Sequence, residues 1–195
     1  MLEEFKQQSP YQYVKEGGYR VNLEFDKEKI EIAELDLENE AANDAILRAL
    51  QALAREGGTT TKVRYKGKRA KVWFRNIFPE ALCPQFFGLF NPEGKMVGYI
   101  NAYDSVIAKN RKVLGIAIVN GYRRIGLAFA TFSYFSKNVE LIFSEEIDEL
   151  VLGTTINNLA MIKIAEKLNY SRFNPTPEDD STVNDEMVYY VLKLK

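Results

Sequence analysis

The stretch Gly115-Ile116-Ala117-Ile118-Val119-Asn120-Gly121-Tyr122-Arg123-Arg124-Ile125-Gly126-Leu127-Ala128 passes from unbroken hydrophobicity into basic residues and glycine, then back into apolar sequence. The run from Val113 to Val119 is apolar throughout, as befits a central strand covered on both faces. The apolar segment from Leu127 to about Phe135 reads as a buried helix because of its length and its Ala and Leu content. Arg123-x-x-Gly126-x-Ala128 therefore sits where a strand hands over to a helix. The start of a helix carries unpaired N–H groups and a partial positive charge, and a pyrophosphate fits there. Gly126 and Ala128 let phosphate oxygens approach the backbone closely, and Arg123 and Arg124 add charge. The chain contains neither G-x-x-x-x-G-K-[ST] nor G-x-G-x-x-G, so a P-loop is excluded and a standard dinucleotide fold is unsupported.

On the N-terminal side, the first residues read as a polar arm. Tyr19 to Phe25 alternates polar and apolar residues like a strand, and Lys29 to Leu35 suits a second strand. Residues Asp44 to Glu56 read as an amphipathic helix, with Ile46, Leu47, Leu50, Leu53 and Ala54 at helical spacing, Asn43 as N-cap and Gly57-Gly58 as the stop. Lys62 to Arg75 reads as a basic hairpin around Lys66-Gly67-Lys68. Its lysines and arginines are read as a solvated ribbon surface that blocks edge pairing, in preference to a nucleic-acid patch. Gln85 to Phe90 and Met96 to Asp104 flank the turn Asn91-Pro92-Glu93-Gly94 at hairpin distance. Beyond the central junction, Glu149 to Gly153 is a short buried strand, Asn157 or Asn158 caps a helix reaching Leu168, and Asn169 occupies a left-handed C-cap position. Met187 to Leu194 is the last strand, after a solvated acidic loop containing Glu178, Asp179, Asp180, Asp185 and Glu186. The pattern is a mixed α/β or α+β sheet domain.

Composition narrows the chemistry. The chain has 195 residues, a formal net charge of −1, one cysteine (Cys83) and no histidine. That length suits one domain. Near-neutrality gives no field demanding nucleic acid or an anionic surface, so a nucleic-acid partner is not expected. No apolar run approaches the roughly 20 residues needed to span a bilayer, and a cytoplasmic location is the expectation. Cys83 cannot form an internal disulfide and reads as a small buried hydrophobe. Without histidine, Ser-His-Asp and Cys-His arrangements and His-based zinc sites are all excluded. A general base must then be a carboxylate, tyrosine, lysine or relayed water.

Together with Asn157-Asn158-Leu159-Ala160-Met161-Ile162-Lys163-Ile164-Ala165-Glu166-Lys167-Leu168-Asn169-Tyr170, the stretch at 115–128 resembles the paired signatures of the GNAT superfamily of N-acetyltransferases. In that family a central strand leads into [Q/R]-x-x-G-x-[G/A], and an Asn-led helix ending like E-K-L-G-F follows. The resemblance covers residues 85–174 well, and its flavour is that of the ribosomal-protein N-terminal acetyltransferases. It implies a GNAT-like domain over 29–195, with a mixed, mostly antiparallel sheet flanked by helices and the basic hairpin at 62–75. Residues 1–28 would form an N-terminal arm with an extra strand. It also implies acetyl-CoA as co-substrate, held by Ile118, Val119, Arg123, Arg124, Ile125, Gly126, Leu127, Ala128 and Asn158. The activity implied is direct acetyl transfer to a primary amine, either a protein N-terminus or a small molecule.

Two departures stand out. The family's frequent Tyr before E-K-L-G-F is Ala165 here, and the Ser that some relatives carry three residues after the Asn is Met161. Asp104, Glu149 and Tyr103 remain as candidate acid–base groups, and no metal ligand set is apparent. A non-catalytic acyl-CoA-binding sensor or interaction module, and a ribosome- or RNA-associated binding protein, stand as alternatives, and a homodimer stays open. Because the basic hairpin lies outside the coenzyme motifs, charge reversal at Lys66, Lys68 and Arg69 should leave acetyl-CoA affinity within about threefold, under ~1 kcal/mol, by calorimetry. A larger loss would place these residues on the coenzyme's phosphates.

Overall fold

Val21, Leu23, Ile30 and Ile32 alternate with polar neighbours. In the computed structural model they make the first two strands of a sheet, β1 (Arg20–Phe25) and β2 (Glu28–Glu34), with Leu23 opposite Ile30. The structure describes residues 14–25, 28–39, 48, 85–105, 108–174 and 187–194. The helix expected at 44–56, except Arg48, and the basic hairpin, Cys83 and the acidic loop lie outside the described residues.

β3 (Gln85–Phe90) and β4 (Met96–Asp104) form the expected hairpin across Asn91-Pro92-Glu93-Gly94. There Asn91 accepts the Lys95 amide through its side chain and the Gly94 amide through its carbonyl, both at 2.8 Å. β5 (Arg111–Ile118) follows. It leads through a 3-10 turn (Asn120–Tyr122) to α1 (Leu127–Lys137) and α2 (Val139–Phe143), then to β6 (Glu149–Thr155). The chain continues as α3 (Leu159–Lys167), β7 (Ser171–Phe173) and β8 (Met187–Lys193). The eight strands form one mixed sheet in the order β1-β2-β3-β4-β5-β6-β8-β7. Only β5 and β6 are parallel, and α1 and α2 supply the crossover such a pair requires.

That parallel ladder is short. Arg111 to Leu114 pair with Glu149 to Leu152, and there the pairing ends. Beyond it β5 stays bonded to β4 and β6 stays bonded to β8, so the sheet divides between them. One face of both strands, through Leu114 and Leu152, joins a core with Phe132 and Phe135 of α1 and Ala165 of α3. At its centre Phe87 meets Phe135 edge to face at 5.2 Å, and Phe143 of α2 packs against both. Among the described residues no helix is long and apolar enough to cross a membrane.

β5 begins two residues before the apolar run, so it includes Lys112, whose side chain is 2% exposed. A charge survives there because its Nζ reaches Asp104 at 2.5 Å and Glu145 at 2.6 Å and lies over the Phe143 ring. Burial alone would lower the Lys112 pKa, but the bonds to the two carboxylates outweigh it and the net shift is upward. The stabilisation is thus complete at neutral pH and disappears only as pH rises through the raised lysine pKa. Either carboxylate can neutralise the ammonium when the other is gone. Asp104→Asn and Glu145→Gln should each cost about 1 kcal/mol, while the double variant should cost about 3 kcal/mol or more by leaving a buried charge unpaired. Urea denaturation of the four proteins in a cycle measures this, and strict additivity would contradict it.

Candidate functional site

The handover from β5 to α1 is built from backbone. The amides of Tyr122 and Arg123 donate back to Val119 and Asn120, both at 3.0 Å, closing the 3-10 turn. Arg124 and Gly126 then take left-handed conformations, with φ of 63° and 92°, the second of which glycine adopts without strain. Gly126 caps α1, and its carbonyl accepts the Ala130 amide at 2.9 Å. The amides of Leu127, Ala128 and Phe129 therefore have no partner within the helix. A Cβ placed on Gly126 would meet nothing within 4 Å, so the loop borders open space. Arg123 also has a structural part, since its Nε donates to the Ile118 carbonyl at 2.7 Å and ties the loop to the strand end.

The opposite wall is the end of β6 and the helix after it. Asn158 caps α3, accepting the Met161 amide at 3.3 Å and donating to Thr154 Oγ1 at 2.9 Å, which fixes the helix start to the strand. Asn169 has φ of 62°, the left-handed conformation expected at the far end. Between the two walls lies a cleft of about 680 Å³. Its lining carries four cationic side chains, Arg123, Arg124, Lys163 and Lys167, and no carboxylate among the described residues. Such a site, with two helix N-termini opening on it, suits a ligand with several negative charges.

Of the residues expected at the coenzyme, Ile118, Arg123, Arg124, Gly126, Leu127, Ala128 and Asn158 border this cleft. Val119 and Ile125 do not. The Val119 amide donates to the Val97 carbonyl at 2.9 Å, completing the β4–β5 ladder. Ile125 faces a neighbouring groove shared with Leu23. Strand alternation turns the amides of Ile116 and Ile118 the other way, toward β6, where the sheet has opened. Of the two strand-end amides, that of Ile118 is therefore the one aimed at the cleft. Ala160, Lys163, Ile164 and Lys167 were not expected there. Their three-and-four spacing on one side of α3 was the available signal.

The acid–base candidates lie elsewhere. Asp104 stands opposite Lys112 and Tyr103 opposite Val113, at the closed end of the sheet. Glu149 opens β6 and pairs with Arg111 at 2.6 Å. It is six residues before the cleft residue Thr155, roughly 20 Å along a strand. The structure does not bring these three to the cleft. Tyr170 is also buried, with its pKa pushed up to about 12 by burial, against the bond its hydroxyl makes with Ser136 at 2.9 Å. Among the described residues no group of three His, Cys, Asp or Glu is placed to hold a metal ion.

Solved structures share this architecture. The GNAT domain of S. lividans PAT aligns over 93% of this chain and 99% of its own, with TM-score 0.63 and 12% identity. The fold is the GNAT fold. A GNAT-family acetyltransferase from Staphylococcus aureus matches over 85% of this chain and 99% of its own, with TM-score 0.61 and 14% identity. A chimeric spermidine N-acetyltransferase from Vibrio cholerae matches over 85% and 95%, with TM-score 0.61 and 11% identity. No protein-family model matches the chain, and no curated protein matches it in sequence.

Within this GNAT fold the Glu149–Arg111 pair sits at the closed end of the two central strands and is partly exposed. Glu149→Gln should therefore change any acetyl-transfer rate by less than about twofold and cost under ~1 kcal/mol of stability. A hundredfold loss of turnover in a folded variant would return this carboxylate to the chemistry.

Proposed function

We propose that this chain is an N-acetyltransferase that carries an acetyl group directly from acetyl-CoA to a primary amine, either a protein N-terminus or a small molecule. The observation that carries the proposal is the cleft where β5 and β6 part, with the unpaired amides of α1 on one wall and four cations around it. Acetyl-CoA fits the donor set, because its pyrophosphate matches the amides of Leu127 to Phe129 and its remaining phosphate matches Lys163 or Lys167. The similar structures named above are two acetyltransferases and a GNAT domain, which supports acetyl transfer as the class. The motif at 115–128 and the Asn-led helix support a relation to the ribosomal-protein N-terminal acetyltransferases, and the reading is of a cytoplasmic enzyme.

The reaction needs an unprotonated amine, a polarised thioester and a path for one proton. The amide of Ile118, turned toward the opening, is placed to donate to the thioester oxygen as charge develops on it. Met161 lines the cleft where relatives carry a hydroxyl, and Ala165 is buried. With neither offering a proton, the thiol's ordinary pKa near ~8.5 allows departure as thiolate, and water takes the amine's proton. The same two positions favour a second reading, a non-catalytic sensor that holds acetyl-CoA without turnover. Thiol release from acetyl-CoA across a panel of amines separates the two.

Binding itself is checked by calorimetry. Acetyl-CoA should bind at micromolar affinity, about −8 kcal/mol. Gly126→Val forces a branched side chain onto a backbone at φ 92° and into the space the phosphate needs. It should lose about 3–6 kcal/mol, the worth of two charge-assisted bonds, in a protein that still folds. Arg123→Ala should cost less, about 1–2 kcal/mol. Normal binding by Gly126→Val, or a reversed ranking, would mean that side chains and not backbone amides hold the anion.

A further inference from the structure

The two edges of the sheet differ. One is β7, with three residues, and the other is β1, with six. A very short edge strand offers little backbone for another chain to pair with, and lysine, proline or a bulge at an edge serves the same end. β1 uses none of these. Its sequence, Arg20-Val21-Asn22-Leu23-Glu24-Phe25, contains no lysine or proline, and it pairs with β2 in unbroken register over all six residues. The Tyr19 carbonyl accepts the Glu34 amide at 2.8 Å, so Tyr19, and by alternation Val21 and Leu23, turn their backbone groups toward β2. Those of Arg20, Asn22 and Glu24 point to the outer side, where the sheet has no further strand among the described residues.

The side chains of β1 sort to two faces. Val21 and Leu23 pack against the core, and the Tyr19 hydroxyl shares a hydrogen bond with that of Tyr134, which holds α1 over this edge. Leu23 opens into a groove of about 420 Å³ along α1, where Ile125 and Phe129 are 37% and 40% exposed. An exposed apolar strip beside an open strand edge marks an interaction surface. On the other face Arg20, Asn22 and Glu24 are exposed. Arg20 Nε donates to Glu31 at 2.8 Å, and Glu24 pairs with Lys29 at 3.1 Å. When this strand meets a copy of itself, antiparallel about a two-fold at Asn22, Arg20 falls opposite the partner's Glu24 at both ends. Charges then alternate in sign across four strands, in the order Glu31, Arg20, the partner's Glu24, the partner's Lys29. On the helix face Val21 falls opposite the partner's Leu23. A parallel, in-register approach would instead set Arg20 beside Arg20 and Glu24 beside Glu24, which is unfavourable.

We propose that β1 is the docking edge for a second copy of this chain, which continues the sheet across an isologous two-fold centred on Asn22. Backbone pairing supplies the ladder, and Arg20 and Glu24 fix its direction and register. Ile125 and Phe129 of both copies are covered where the grooves along α1 meet. Gly126 and Phe129 border both that groove and the cationic cleft, so the seat of the partner adjoins the cleft. Assembly needs no coenzyme, and its failure is therefore distinct from failure of acetyl-CoA binding.

Sedimentation equilibrium of the full chain, without coenzyme, should show a dimer at about 100 µM that dissociates on dilution. Asn22→Pro removes an outward amide and no β1–β2 bond, so the subunit should keep its fold by circular dichroism while the dimer dissociation constant rises at least ~100-fold. Arg20→Glu and Glu24→Arg each set like charges opposite one another at both ends, and each should weaken the dimer about tenfold. Mixed in equal amounts, these two variants again bring opposite charges together and should form a mixed dimer within about threefold of the unsubstituted affinity. A monomer at about 100 µM would overturn the proposal. So would a dimer that survives Asn22→Pro in a folded protein, or two charge-reversed chains that fail to recover on mixing.

Discussion

The division of the sheet between β5 and β6 is the constraint on which the rest depends. Two parallel strands joined by four paired positions separate while each remains bonded to its outer antiparallel neighbour. A strand end normally leaves polar backbone groups to water or to another strand. Here the opening turns the amides of Ile116 and Ile118 inward, toward a space bounded by two helix N-termini. The cleft is therefore a break in the ladder that persists while each strand keeps its bonds to its outer neighbour.

Charge is distributed along this sheet in two different ways. At the closed end the strand cations Arg111 and Lys112 have carboxylates within reach, Arg111 with Glu149 and Lys112 with Asp104 and Glu145. At the open end Arg123, Arg124, Lys163 and Lys167 meet in one cleft without a carboxylate in its lining. Repulsion among cations is tolerated at a solvent-filled cleft, where screening is strong, and is relieved when an anion enters. Carboxylates placed at the closed end hold the ladder together, and the same residues at the cleft would repel an entering anion.

The absence of histidine and of a tyrosine at position 165 bears on the acid–base chemistry. Tyr170, five residues after Ala165, is committed to the core through Ser136. Under the proposed function, a reaction in this cleft would rely on placement and on backbone donors, with water as the proton acceptor.

The elements were largely legible in the sequence. The alternation at Val21–Leu23 and Ile30–Ile32, the turn at Asn91–Gly94, the glycine and arginine before Leu127, and the cap chemistry of Asn158 and Asn169 are local signals. Each acts within a few residues of itself, through side-chain alternation, φ preference or a hydrogen bond to a nearby amide. The left-handed glycine that opens α1, Gly126, was legible for the same reason. What the sequence did not contain was pairing. Asp104, Glu149 and Tyr103 were reasonable acid–base candidates as ionisable residues at strand ends, and only the register showed that they stand at the closed end, opposite Lys112, Arg111 and Val113. Likewise Val119 and Ile118 are equivalent in sequence, and the ladder with β4 decides which amide is taken and which faces the opening. Lys112 reads as a flank to an apolar strand until Asp104 and Glu145, from separate parts of the chain, meet it in the core. Local residue chemistry determined which segments are strands and helices. Register between distant strands, set by the packing of whole faces, decided which residues share the cleft.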